Sequence, residues 1–315
     1  MKILIVCSGN YEEVERDFSI RRPFIYDQVE ALKPYIEKCD IFFIKGKGVF
    51  GYLKNVFKLR EKLSCNKYDL IHAHYGLSGV IACLAALLKK IPVITTFHGT
   101  DITHKKKFIF SIIAILLSDK RVFVSNKLIE KSKYFLFKKN YYEIPCGVDL
   151  SLFQPRSKVE ASKKLNINPY QRRILFSSAF QNSVKNFGLA QKAVEKLNLK
   201  YEILEIKNRS REEVSYLLNA SDVLLMTSFT EGSPQIIKEA MASNCPIIST
   251  DVGDVKKILG KTKNCYLVEF DENEITQKLE DLLKYPRRSN GRDFISSYSN
   301  TYIADKLLKV YKSVN

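Results

Sequence analysis

The chain has 315 residues, 45% hydrophobic and 27% charged, which excludes a disordered chain and supplies enough apolar mass for two domains. Its formal net charge of +17 calls for an anionic partner, yet no recognition helix, zinc finger or RNP-type aromatic strand supports nucleic acid. Seven scattered cysteines, never spaced C-x-x-C, argue against a disulfide framework or a zinc ribbon and fit a reducing cytoplasm.

The opening MKILIVCSGN runs straight into a strand pattern, without the long apolar run and cleavage site of a secretory signal, so a cytoplasmic location is expected. ILIVC, the helical FIYDQVEALKPYIEK and the strand-like IFFIK set up an alternation that continues through GYLKNVFKLREKL, LIHAH, LSGVIACLAALLKK, PVITTF, RVFVS and YYEIP. That rhythm predicts a parallel sheet with crossover helices. Ser8-Gly9-Asn10 follows the first strand, where a glycine permits close approach of a ligand. His72 and His74 fall on one face of LIHAH but lack a third ligand at metal-binding spacing, so no metal site is expected. After PVITTF comes His98-Gly99-Thr100-Asp101, which places a donor and acceptor side chain at a strand end. KKKFIFSIIAILLSDK then couples Lys105, Lys106 and Lys107 to an apolar stretch too short to span a bilayer, which needs about 20 residues. Two readings stay open there, a buried helix or one lying on an anionic membrane surface.

GVDLSLFQPRSK breaks the rhythm and marks a junction, giving an amino-terminal domain over 1–150, a second over 151–297 and a closing helix over 298–315. The second cycle reads RILFSS, NFGLAQKAVEKL, YEILEI, SREEVSYLLNA, DVLLMTS, EGSPQIIKE, PIIST and CYLVEF. In EGSPQIIKE, Ser233 suits a helix N-cap and Pro234 a first helical turn, so the N–H groups opening that helix face an anion. Glu231 precedes the helix and Glu239 follows about two turns in, roughly 9 Å along the axis, a spacing for an elongated, hydroxyl-rich ligand. Neither a G-x-G-x-x-G fingerprint, a P-loop nor a G-x-S-x-G elbow occurs, against nicotinamide enzymes, P-loop kinases and α/β-hydrolases.

SFTEGSPQIIKEAMASNCPIISTDVGD resembles the donor-binding signature of family 4 glycosyltransferases. DLIHAHYGLSG, VITTFHGTD, VFVSN and IPCGVDLSLFQP resemble that family's amino-terminal domain and junction, in order. The resemblance implies the α/β GT-B architecture, two facing Rossmann-like domains with parallel sheets, the last helix returning to the first domain. It also implies a retaining, metal-independent, hexosyltransferase-like enzyme with no cofactor and a nucleotide diphosphate sugar as substrate. Apart from the resemblance, the +17 charge and the lysine-led apolar run lead to the expectation of a glycan or lipid-linked glycan acceptor of a bacterial surface, met at the inner face of the membrane. By the resemblance, His98 and Glu231 have catalytic roles. Ser8, Gly9, Lys185, Gly232, Ser233, Pro234, Gln235 and Glu239 bind the donor, Lys185 at its phosphates and Glu239 at the ribose. Relatives carry Gly-Arg after the first strand of the second domain, where this chain has Ser178-Ala179. The missing guanidinium leaves Ser177, Ser178 and Asn182, or a cation from elsewhere, to replace it. A GT-B-type epimerase and a catalytically silent nucleotide-sugar-binding protein are the alternatives.

Overall fold

A computed structural model describes residues 1–9, 17–46, 48–137, 139–198 and 200–314; Asn10 of the first glycine loop lies outside them. The chain divides into two compact units, Met1–Cys146 with Thr301–Asn315, and Gly147–Asn300.

The first unit is built on β1 (Lys2–Ser8), β2 (Lys38–Ile44), β3 (Leu70–His74), β4 (Val93–Phe97), β5 (Lys120–Phe123) and β6 (Tyr141–Glu143). They form one parallel sheet in the order β2-β1-β3-β4-β5-β6. Side chains alternate across it, as strand geometry requires. Ile3, Ile5 and Cys7 meet Ile25 and Val29 of helix Pro23–Leu32, and Ile303, Leu307 and Tyr311 of helix Asn300–Lys312. Leu4 and Val6 face the other way, toward Val56 and Leu59 of helix Gly48–Cys65 and Ile81 of helix Gly76–Ala86. Each such fully buried aliphatic side chain contributes roughly 1.5–3 kcal/mol. The closing helix therefore belongs to the first unit by its core.

The second unit carries β7 (Arg173–Phe176), β8 (Glu202–Glu205), β9 (Val223–Met226), β10 (Ile247–Thr250) and β11 (Cys265–Val268), parallel in the order β11-β10-β9-β7-β8. Leu224 and Met226 of β9 pack on one side of this sheet, Val223 and Leu225 on the other. Helix Arg211–Ala220 starts on a reciprocal cap, in which the Ser210 hydroxyl accepts the Glu213 N–H and the Glu213 carboxylate accepts the Ser210 N–H. The Arg292 guanidinium donates to the carbonyls of Leu150, Phe153 and Ala242, tying the junction segment to the end of helix Gln235–Ala242. No described helix is long and apolar enough to cross a membrane.

Candidate active site

In the second unit the chain passes from β7 outward to β8, then returns across β7 to β9. The strand order reverses between β7 and β9, and open parallel sheets bind ligands outside the carboxyl ends of strands at such a point. The loops leaving these two strands carry Lys185 and Glu231. Lys185 Nζ donates to Glu231 Oε1 over 2.6 Å, both side chains largely shielded from solvent. Forty-six residues apart in sequence, they are brought together by topology alone. The β9 loop is backed by Gly253, whose φ of +59° favours glycine and whose absent Cβ would stand 2.7 Å from the Gly232 carbonyl oxygen. Its contact fixes the peptide that presents Glu231.

Helix Gln235–Ala242 begins later than the sequence suggests. Pro234, not Ser233, occupies the cap position, in extended conformation with φ −66° and ψ 120°, and no side chain caps the helix. The Ser233 hydroxyl is taken by tertiary partners, accepting from Lys238 Nζ over 2.7 Å and donating to Asp254 over 2.8 Å. Lys238 is itself completely buried. The later start corrects the position of Glu239 as well, the fifth helical residue and just over one turn in rather than two. The Gln235 amide donates to the Gly147 carbonyl at the junction, so its side chain anchors the helix start to that segment.

Glu239 does not face open solvent. Its side chain is 3% exposed and accepts from Arg211 Nη1 over 2.5 Å, while the Arg211 guanidinium lies 4.7 Å from the centre of the Phe153 ring. Sequence reasoning missed Arg211, a cation at the first position of the capped helix after β8. The only signal was the Ser-Arg-Glu-Glu cap motif, which predicts a helix start and not a partner for Glu239. Around the substituted position, the Asn182 side chain accepts the Val184 N–H and caps the short turn Ser183–Lys185. The Phe180 N–H goes to Glu205. The Ser177 hydroxyl is buried without a hydrogen-bond partner among the described residues. Ser178 accepts the Ile206 N–H through its carbonyl.

In the first unit the sheet order reverses between β1 and β3. Beside it, the Ser8 hydroxyl shares a hydrogen bond with the Tyr52 hydroxyl at 2.6 Å. The Gly9 N–H donates to the Ile44 carbonyl, and a Cβ at Gly9 would stand 2.6 Å from the Phe43 Cβ. Packing against β2 thus supplies a reason for this glycine that the sequence does not reveal.

His98 follows β4, its ring between those of Phe24 at 4.8 Å and Tyr75 at 4.7 Å. Its Nε2 shares a hydrogen bond with His74 Nδ1 at 2.9 Å, and its Nδ1 is 3.8 Å from Cys146 Sγ. Farther in, His72 contacts the Tyr311 hydroxyl at 2.6 Å and Thr96 Oγ1 at 2.7 Å. Burial drives the His72 pKa down to about 3. His74 is held well below its ordinary value by burial and then by His72, His98 and Arg22. Both imidazoles are neutral at physiological pH; His74 hydrogen-bonds to His98, and His72 packs beneath His74 with ring centroids 4.5 Å apart. Among the described residues, no group of three or more His, Cys, Asp or Glu is arranged to hold a metal ion.

Asp101 organises this loop and was quoted in the sequence only as a neighbour. Its buried carboxylate accepts the N–H groups of His98 at 3.1 Å, Gly99 at 2.9 Å and Gly76 at 3.3 Å, joining the loops after β3 and β4. Gly99 makes the turn with φ +134°. Burial raises the Asp101 pKa from 3.8 to about 6, against the lowering effect of those N–H bonds. The carboxylate is therefore charged above about pH 6, and acidification through that value replaces one acceptor oxygen with a hydroxyl. Activity is expected to fall as pH drops through 6. Because the folded pKa exceeds the unfolded value, protonation of Asp101 favours the folded chain between about pH 4 and 6, so this loss is not Asp101-driven unfolding. In a kcat/KM profile with parallel thermal melts, Asp101→Asn should be slower and lack the acid limb. A limb unchanged in that variant would assign it elsewhere.

The family model described as Glycosyltransferase Family 4 matches residues 19–152, and that described as Glycosyl transferases group 1 matches residues 158–297. A putative teichuronic acid biosynthesis glycosyltransferase of Bacillus subtilis is 31% identical over 218 residues, 61% of this chain and 56% of that protein. An Escherichia coli UDP-Gal:alpha-D-GlcNAc-diphosphoundecaprenol alpha-1,3-galactosyltransferase is 22% identical, with 82% of this chain and 79% of that one covered. Among solved structures, sucrose-phosphate synthase from Thermosynechococcus elongatus superimposes with a TM-score of 0.82 at 15% identity, covering 100% and 99% of the two chains. Anabaena HepE in complex with UDP gives 0.78 at 13% identity, covering 99% and 100%.

Proposed function

The chain belongs to glycosyltransferase family 4, and on that premise we propose that it moves a hexose-like sugar from a nucleotide diphosphate donor to a hydroxyl acceptor, retaining the anomeric configuration. Its fold is of the GT-B class. The observation that carries the reading is the Lys185–Glu231 pair at the strand-order reversal of the second unit.

Lys185 has three N–H donors, so it can keep Glu231 and still donate to a diphosphate. We assign the leaving diphosphate to Lys185 and to the uncapped N–H groups that open helix Gln235–Ala242, which stabilise negative charge as it accumulates. With Ala179 in place of the family arginine, Arg211 is the second cation, and Glu239 beside it accepts from the ribose. Glu231 orients the reacting sugar, and we assign His98 the catalytic role that the family resemblance implies for it. These groups supply acceptors and positive field themselves, so the reaction needs no metal or cofactor and should persist in a chelator. The HepE complex makes UDP the first nucleotide to test. The acceptor we infer is a surface glycan or its lipid-linked precursor, worked on from the cytoplasmic side at an anionic membrane.

Lys185→Ala should raise the dissociation constant for the nucleoside diphosphate ten-fold or more, since a hydrogen bond to a charged group contributes roughly 1.5–3 kcal/mol. Ala179→Arg should lower it. Titration calorimetry that shows no change in either variant would place the phosphates elsewhere.

A further inference from the structure

Helices Gly48–Cys65, Gly76–Ala86 and Lys105–Leu117 follow β2, β3 and β4, each crossing to the next strand in the same direction. Right-handed crossovers place them on one face of the sheet, and the middle helix packs against both others. The third helix approaches the second through small residues. A Cβ on Gly76 would collide with Ser111, and one on Gly79 would stand 3.0 Å from the Ala114 side chain. Because the inward stripe is small, large apolar residues are left outside. Ile109, Ile113, Leu116 and Leu117 are exposed, Ile109 by 54%.

The other two helices repeat the arrangement. Phe50 and Phe57, two turns apart on the first helix, are 84% and 72% exposed, with Leu53 between them. Leu87 and Leu88, just past the second helix, are exposed too. Leu87 and Leu117 also line one pocket of about 440 Å³, which places the ends of the second and third stripes side by side. Exposed Lys54, Lys58, Lys89, Lys90 and the three lysines at 105–107 belong to these helices and their ends, against Glu61 of the first helix and Asp119 just past the third as exposed acids.

We propose that this three-helix layer is a docking face for an anionic lipid bilayer, on which the first unit lies with its helix axes in the plane of the membrane. Exposed phenylalanine and aliphatic stripes rimmed by lysine are the pattern of an interfacial surface, and an isolated monomer seldom leaves such patches open. Charge selects the occupant. A second copy seated face to face would set seven lysines against seven, whereas an anionic surface gains about five-fold in partition for each lysine near it. The face extends the membrane-presented acceptor proposed above from three lysines to a surface, and docking itself needs no nucleotide sugar.

The test is co-sedimentation of the full chain with phosphatidylglycerol-containing vesicles and with pure phosphatidylcholine vesicles, without donor. Wild type should partition to the anionic vesicles at low salt and leave them as salt rises, because screening sets in within about 10 Å at 0.1 M. Two variants of exposed residues, checked by thermal melting, should each bind at least ten-fold less: one with Lys54, Lys58 and Lys105 to Lys107 changed to Gln, the other with Phe57, Ile113 and Leu116 changed to Ser. The chain has no tryptophan, so Phe57→Trp adds a single reporter whose emission should shift blue on anionic vesicles. The proposal is overturned by wild type that stays in the supernatant, by an apolar variant that binds like wild type, or by a dimer that Phe57→Ser dissociates. Transfer to a soluble acceptor, measured separately, tells failure of docking from failure of the glycosyltransferase reading.

Discussion

Glu231→Gln is expected to lower kcat by about two orders of magnitude, the effect typical of a lost electrostatic contact in the transition state, with little loss of donor affinity. The wild-type carboxylate offers two oxygens to sugar hydroxyls and balances Lys185 at 2.6 Å. An amide offers one acceptor oxygen and no charge. Removing the carboxylate also leaves Lys185 more available to the diphosphate, so the donor dissociation constant should stay level or fall. That split is opposite to the one expected for Lys185→Ala, and the two variants together separate sugar orientation from phosphate binding. Turnover within three-fold of wild type would end the assignment to Glu231.

Arg211→Met should be the most damaging substitution for stability. It leaves Glu239 3% exposed without its cation, and removing one partner of a buried pair costs roughly 3–5 kcal/mol. The double variant Arg211→Met with Glu239→Leu removes both charges and should recover most of the melting temperature, because apolar replacement of a whole buried pair is often neutral. Nucleotide binding should not recover with it. If the double variant binds the nucleoside diphosphate like wild type, the pair is structural and the ribose lies elsewhere.

The alternation of strand and helix periods is visible in the sequence because burial on both faces of a parallel sheet leaves near-continuous apolar runs such as ILIVC and VLLM. The Lys185 and Glu231 positions were legible as motif positions, and their contact follows from the strand order. What failed was local chemistry decided by tertiary partners. Ser233 has the residue type of a helix cap, but Lys238 and Asp254 compete for its hydroxyl, and sequence spacing does not report that competition. Arg211 was invisible for the same reason, since a lysine or arginine after a cap motif is by default solvated. KKKFIFSIIAILL left a buried helix and an interfacial one both open, because how closely Gly76 and Gly79 let the neighbouring helix approach, and so which apolar residues stay outside, is not visible in its own sequence.

The central claim is transfer from a nucleotide diphosphate sugar, and following donor panels with UDP, GDP and ADP leaving groups tests it most directly. With a hydroxyl acceptor present, nucleoside diphosphate release is read by chromatography and the anomeric configuration of the product by NMR. The account predicts that one donor class yields nucleoside diphosphate and glycoside in equal amounts with configuration retained, and that Glu231→Gln yields neither at a comparable rate. An isomerised nucleotide sugar without release of the diphosphate, or tight binding of every donor with no turnover, would contradict it.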